Sequence, residues 1–304
     1  MARVSRSVRA AILGARAESR REQELRQTAR GLRLAWAQGI TVLYKLRSLG
    51  PQSRDHTFDI IENSGVYFPS PEKFNDPFDC APPFKLAGDI TDPEFVKELQ
   101  RDEERMATNA GLTPAQVAEM RTKEGVPVEQ MAEAVRTNTV RAIREDTRVL
   151  CLANEQSHPL MWSHYASSHT GICLHFRCSP DNLFGLARQV LYVNERRPVL
   201  IPLDRQSEDE VTERLVFEKA KFWDYESEYR VVGHKTADWG YSFDAEDRIS
   251  FAAELLCGIT LGLKVSEADR AALLSLAANH KPPIPVWQAS ESPHRFWIDL
   301  QRIR

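Results

Sequence analysis

The chain has no CxxC pair. Its cysteines, Cys80, Cys151, Cys173, Cys178 and Cys257, are odd in number and scattered. That spacing supports neither a zinc knot nor a thiol redox motif, and the expectation is buried free thiols in a reducing cytoplasm. No apolar run approaches the roughly 20 residues that a membrane-spanning helix needs, so no membrane partner is expected. Charge of one sign is not in excess either. The formal net charge is -3, which by itself demands no nucleic acid or membrane surface. Internal repeats and low-complexity tracts are also missing. What is present is ordinary globular composition, 42% hydrophobic and 27% charged, over 304 residues. That length suits one large domain or two modest ones with a real core.

Charge is uneven only at the beginning. Arg3, Arg6, Arg9, Arg16, Arg20, Arg21, Arg26, Arg30 and Arg33 face only Glu18, Glu22 and Glu24. The segment is rich in Ala, Arg and Gln, which favours helix, and it lacks the continuous apolar core of a secretory signal. Residues 1–39 are therefore expected to form a basic helical arm, either solvated or in contact with RNA or an acidic partner. Residues 40–304 are expected to form a single α+β domain.

Within that domain, ITVLYKLRS alternates like a strand, with Val42, Tyr44 and Leu46 on one face and Leu43, Lys45 and Arg47 on the other. GVYFPS (65–70), VLCLAN (149–154), GICLHF (171–176), QVLYV (189–193) and YRVVG (229–233) read as strands. So do ELLCGITLG (254–262), PVWQAS (285–290) and FWIDLQRI (296–303). Helices are expected at 57–64, over HPLMWSHYA, from Ser207 to Ala220 with a Ser207…Glu210 capping box, and from Ser266 to Asn279. Residues 91–146 read as a helical insertion. Thr113-Pro114-Ala115-Gln116 begins one helix there, Gly111 and Gly125 separate the pieces, and the last runs from about Pro127 to Glu145. The expected architecture is α+β, with mixed, mainly antiparallel strands around a central cleft.

Four polar stretches stand out. In LYKLRS, Lys45 and Arg47 could hold a pyrophosphate or carboxylate, or simply protect a strand edge. In FNDPFD, Asn75, Asp76 and Asp79 could be turn chemistry alone, or a rigid loop over a pocket. In MWSHYASSHTGICLHF, His164 and His169 are five apart, which disfavours a two-histidine metal site. Trp162 and Tyr165 could share a face for stacking on a base or nicotinamide, or pack in the core. In FWDYESEYRVV, an extended chain would aim Glu226, Glu228 and Arg230 along one line. These carboxylates could do acid/base work, stabilise a cation, bind a metal, or pair with Arg230 and with Lys219 or Lys221.

LYK-x-R, then SPEKFNDPFD, then W-x-HYA-x-x-H-x-GICL-x-F, then K-x-x-W-x-YE-x-EYR, in that order, resembles a large family of uncharacterised bacterial and phage proteins, a domain of unknown function. The resemblance runs from about Leu43 to Gly262 and leaves the basic arm and the details of 91–146 outside it. The same order is also similar to the ADP-ribosyltransferase arrangement. That likeness implies NAD as substrate and no metal. It gives Arg47 (or Lys45) the grip on NAD and Tyr67 or Ser70 the support of the nicotinamide side, with Asn75, Asp76, Trp162 and Tyr165 as further binding candidates. Glu228, helped by Glu226, would stabilise the oxocarbenium-like transition state, and His164 is a third catalytic candidate. The Ser-Thr-Ser strand pattern and first-strand histidine usual in such enzymes are absent here. The implied protein is a cytoplasmic transferase, a toxin or defence effector, with a protein or nucleic-acid acceptor. Two other readings compete: a divalent-metal-dependent phosphodiesterase or nuclease using Asp76, Asp79, Glu226 and Glu228, with His164 as base and Lys45 polarising a phosphate, and a non-catalytic ligand- or partner-binding module.

Overall fold

The computed structural model describes residues 24–109, 113, 115–116, 128–236 and 238–304. Residues 1–23 of the basic arm lie outside the described residues, as do Gly111 and Gly125. The chain alternates between two compact units. One comprises residues up to Ser64, Leu152–Gln189 and Phe251–Arg304; the other comprises Gly65–Cys151 and Val190–Ser250.

In the first unit a helical stretch over 24–31 and a 3-10 turn at Trp36–Gln38 precede β1 (Val42–Arg47) and α1 (Arg54–Asn63). β2 (Gly65–Tyr67), β3 (Phe84–Leu86), α2 (Pro93–Asn109) and α3 (Val128–Glu145) belong to the second, and β4 (Thr147–Ala153) leads out of it. α4 (Pro159–Tyr165), β5 (Ile172–Arg177) and β6 (Arg188–Gln189) return to the first. β7 (Leu191–Val193), β8 (Val199–Ile201), α5 (Glu208–Thr212), β9 (Glu218–Ala220), β10 (Glu228–His234) and β11 (Arg248–Ser250) add to the second. β12 (Leu256–Leu261), α6 (Glu267–Asn279), β13 (Val286–Glu291) and β14 (Ile298–Arg302) complete the first. The fold is α+β with a large, mainly antiparallel sheet.

In the first unit the strands are ordered β14-β13-β12-β5-β1. β5 is antiparallel to β1, from Val42↔Arg177 to Arg47↔Ile172, and antiparallel to β12 on its other side. β12 and β13 run parallel, and β14 returns antiparallel. β5 is buried along all but its last residue, as its nearly unbroken apolar sequence requires of a strand covered on both faces. β1 departs from simple alternation: Leu43 and Leu46, on opposite faces, are both buried, because both sides of the strand are packed. A polar string crosses this core. His175 Nε2 lies 2.9 Å from Thr260 Oγ1, which donates to Gln156 Oε1 at 2.9 Å. Burial pushes the His175 imidazole down to about 3, so the ring is neutral at ordinary pH. Position 258 must be glycine here, since a Cβ would come within 2.4 Å of His175 Nδ1.

The second unit is made of short pieces. β2 pairs with β11, β3 with β8 and β7 with β9, while β4 and β10 lie side by side. β3, β8, β9 and β11 span three residues each, too short for an alternating pattern to register in sequence. The helical insertion is a packed part of this unit. Leu99 of α2 meets Met131 and Val135 of α3 and Ile201 of β8, with Phe84, Leu86 and Leu203 against them. Thr113 and Gln116 form the expected cap, with Gln116 N–H donating to Thr113 Oγ1. Ser207 and Glu210 form the expected capping box. The helix it starts is shorter than expected, however: α5 passes into a π turn at Glu213–Phe217, and Glu218–Ala220 is strand. Pairing of β9 with β7 outcompetes continuation of the helix.

Leu99 is fully buried between the insertion helices. Leu99→Ala is expected to destabilise the protein by about 2–5 kcal/mol, read as a lower urea midpoint. An unchanged midpoint would mean that the insertion is not part of the cooperative core.

Candidate functional site

The stretch KFWDYESEYR does not run extended throughout. Lys221–Glu226 forms a 3-10 turn, Ser227 adopts a left-handed conformation at φ 46°, and β10 begins only at Glu228. The expectation that Glu226, Glu228 and Arg230 share one extended line is therefore corrected for Glu226. The turn nevertheless swings Glu226 back onto Lys219 of β9, where its carboxylate accepts a short hydrogen bond from the ammonium. Glu228 and Arg230 do lie two apart on one strand face. Arg230 Nε donates to Glu228 Oε1 at 2.7 Å and Nη2 to Oε2 at 3.1 Å. Lys219 Nζ donates to the same Glu228 Oε2 at 2.9 Å.

The FNDPFD loop closes this cluster. Asp76 Oδ1 accepts from its own loop, at Phe78 N, 2.9 Å away. Its Oδ2 accepts from Trp223 Nε1 at 2.8 Å. Asp79 then meets the far side of the Arg230 guanidinium bidentately, at 2.9 Å to Nη1 and 2.6 Å to Nη2. Val216 O takes a further Nη1 hydrogen at 2.8 Å, and the Phe74 ring centroid lies 5.3 Å from the guanidinium carbon. Asn-Asp-Pro chemistry thus shapes the turn, and one residue of that turn also anchors the buried cation.

Asp79, Lys219, Glu226, Glu228 and Arg230 are all buried, with Arg230 at 0% exposure. The cluster sets three carboxylates beside two cations. Burial by itself pushes the Glu228 carboxyl up, but the adjacent Arg230 and Lys219 charges overcome this and hold it well below the usual carboxylate range. Burial pulls the Lys219 ammonium down, and Glu228, Glu226 and Asp79 together hold it above its ordinary range. Burial also raises the Cys80 thiol and the Tyr192 hydroxyl, so both stay protonated at neutral pH. Tyr192 Oη accepts the Glu228 backbone N–H at 2.8 Å. The Cys151 side chain hydrogen-bonds the Glu228 carboxylate. A buried network of this kind carries a desolvation cost that an apolar core would avoid, which makes it a weak source of stability and a candidate for function.

A cleft of about 480 Å³ borders the cluster. One wall is the loop from Pro71 to Phe84, including Phe74, Asp76 and Asp79. The other is the face of α3 that carries Arg136, Val140, Ile143 and Arg144, spaced to lie on one side of the helix. Both arginines are about half exposed; Arg136 is paired bidentately with Glu133 on its own helix, and Arg144 lies 3.5 Å from Glu72. Both pairs face solvent, where salt screens them. Among the described residues, no group of three His, Cys, Asp or Glu side chains is placed to hold a metal ion.

The second unit thus gathers Asp76, Asp79, Glu226 and Glu228. Tyr67 Oη accepts from Lys73 Nζ at 2.6 Å. Ser70 caps the short turn Pro71–Lys73 and donates to Arg144 O at 2.9 Å, while Asn75 is exposed. Lys45, Arg47, Trp162, His164 and Tyr165 belong to the first unit. Trp162 is enclosed there, with Nε1 donating to Gln156 O at 2.6 Å. His164 is exposed, its ring 6.3 Å from that of Tyr165. Burial lowers the Arg47 guanidinium from its ordinary value. Sequence reasoning did not find Cys151, Tyr192, Arg136 or Arg144. Of these, only the arginine pair left a signal, since positions eight apart fall on one helix face.

Residues 161–231 are similar to a family described as "Protein of unknown function (DUF2971)". The matched span takes in Trp162, His164, Lys219, both glutamates and Arg230, and it leaves Asp79 outside. No curated protein and no solved structure matches the chain.

Arg230→Met is expected to destabilise the protein by about 3–5 kcal/mol, because Asp79 and Glu228 lose their partner inside the protein. Chemical denaturation checks this. The pH dependence has a definite sign. Glu228, depressed on folding, contributes stability that is complete above its ordinary value of 4.5 and fades as pH falls below it. Lys219, raised on folding, contributes fully below 10.5 and fades as pH climbs beyond it. Relative to wild type, Glu228→Gln should lose most stability on the plateau between those values and progressively less below pH 4.5. A deficit independent of pH would contradict the ionised pair.

Proposed function

We propose that the second unit handles a phosphate-bearing nucleotide in its cleft, with NAD as the candidate and ADP-ribosyl transfer as the reaction. The observation that carries this reading is a buried cluster of three carboxylates and two cations, beside a cleft with two arginines on the opposite wall. The cleft volume falls within the roughly 300–1,000 Å³ typical of small-molecule sites. Arg136 and Arg144 hold the phosphates. Asp79 is the member of the cluster that lines the cleft, with Glu228 one guanidinium behind it. Breaking the C1′–N glycosidic bond sends the electron pair to nicotinamide and leaves positive charge on the ribose. A fixed carboxylate environment stabilises that charge as it develops. The acceptor nucleophile then bonds to C1′ and releases its proton. Transfer to a protein or nucleic acid would suit a toxin or defence effector.

A second reading, a ligand-binding module without turnover, is favoured by one observation: Glu226 and Glu228 are both buried and committed to ion pairs. Binding and turnover are separable by experiment. NAD is expected to raise the melting temperature, by the equivalent of about 2.7 kcal/mol at 100 times its Kd, and Mg²⁺ or Mn²⁺ is not. Arg144→Glu should abolish the shift. Release of free nicotinamide, measured by chromatography and lost in Glu228→Gln, supports transfer; an NAD shift with no nicotinamide release supports the binding module. Stabilisation by the metal ions alone would overturn both and leave the metal-dependent phosphodiesterase.

A further inference from the structure

Two exposed rings stand on the rim of the second unit. Among the described residues the exposed large apolar side chains are Leu25, Phe78, Leu160, Phe222, Phe296 and Ile303. Phe78 is 58% exposed and Phe222 is 68% exposed. Phe78 lies two residues beyond Asp76, and Phe222 immediately precedes Trp223. The 2.8 Å hydrogen bond between Asp76 and Trp223 therefore stitches their two loops into one rim.

Cations accompany these rings. The Arg196 guanidinium sits over the Phe78 ring at 5.2 Å, and the Lys219 ammonium lies 5.2 Å from the Trp223 centroid. Lys221, exposed, precedes Phe222 and is paired only at the surface with Asp224 at 2.9 Å. The rings of Phe222, Trp223 and Tyr225 follow one another at centroid separations of 5.8 and 6.0 Å. Beside Phe78 a hollow of about 60 Å³ is bordered by Arg196, Arg197 and Lys219. Arg197 is held by Glu213 and Glu218, and Arg196 by the Ala81 carbonyl, while the side chains of Arg196 and Lys221 are both exposed.

Aromatic faces interleaved with cations match one kind of partner. Unpaired bases stack on rings, and their phosphates pair with the neighbouring cations. A duplex hides its base faces and offers only phosphates. We infer that the rim carrying Phe78, Arg196, Lys221 and Phe222 binds single-stranded nucleic acid. Stacking on Phe78 and Phe222 supplies sequence-tolerant affinity, and Arg196 and Lys221 supply the salt-dependent part. The strand would be the acceptor of the transfer reaction, and only that role rests on the reading given under Proposed function.

The test uses the full chain and fluorescence anisotropy of a labelled single strand of about 12 nucleotides, with the matching duplex as competitor. Saturable binding is expected, weakened by salt and favouring the single strand. Phe78→Ala and Phe222→Ala should each weaken it about 5-fold or more, the scale of one lost base stack. Phe296→Ala, an exposed ring of the first unit, should leave it unchanged. Both rim rings are at the surface, so an unaltered melting temperature certifies the folded variants. Unaltered binding in the double variant, equal affinity for duplex, or no binding of the single strand would each overturn the inference. The NAD-dependent melting shift is read separately on the same variants. Its loss in wild type would count against the cleft reading alone, whereas its persistence without strand binding would count against the rim alone.

Discussion

The polar centre of the second unit depends on one guanidinium. Arg230 has five N–H bonds and finds five oxygen acceptors: both carboxylate oxygens of Glu228, both of Asp79, and the carbonyl of Val216. No other side chain offers five donors in a planar fork, and lysine, with three donors at one point, could not satisfy both carboxylates edge-on. A fully buried charge is tolerable only when its bonding capacity is met. The geometry of the surrounding backbone follows from that demand. The strand must present Glu228 and Arg230 to one side, the FNDPFD loop must deliver Asp79 opposite, and the π turn must leave the Val216 carbonyl pointing inward.

Lys219 extends the same logic one step outward. It bridges Glu228 to Glu226 and lies 3.7 Å from Asp79, so each cation is shared among carboxylates and each of Asp79 and Glu228 meets both cations. A carboxylate-rich site, placed next to a wall bearing two half-exposed arginines, presents opposite polarities across a single cleft. That division suits a ligand with anionic and electron-poor ends.

The longer elements of this fold were legible in sequence because their periodicity is carried by many residues. α1, α3 and α6 bury apolar residues along one side, and β1, β5 and β12 are apolar runs long enough to register. Three-residue strands such as β3 and β8 hold no such repeat; they exist because neighbouring segments pair with them. Glu226 was misjudged for a related reason. FWDYESEYR alternates well enough to read as extended, but Ser227 turns left-handed and breaks the line, and Glu226 meets Lys219 instead. The pairing of Asp79 with Arg230 left no trace in either local pattern, since it joins positions 151 residues apart. Composition hinted at the pieces, and only the folded chain brings them face to face.

The second unit is assembled from two separate lengths of chain, Gly65–Cys151 and Val190–Ser250. Asp79 comes from the first length, whereas Lys219, Glu226, Glu228 and Arg230 come from the second. The ion cluster is therefore a seam between the two, and the hydrogen-bonding capacity of Arg230 is met only when both lengths are present. Recombination that replaced one length with a sequence lacking its share of the cluster would leave either Arg230 donors or the Asp79 carboxylate without buried partners. Such an exchange is penalised at the level of folding, before any activity is tested, so the two lengths are bound to be inherited as a pair.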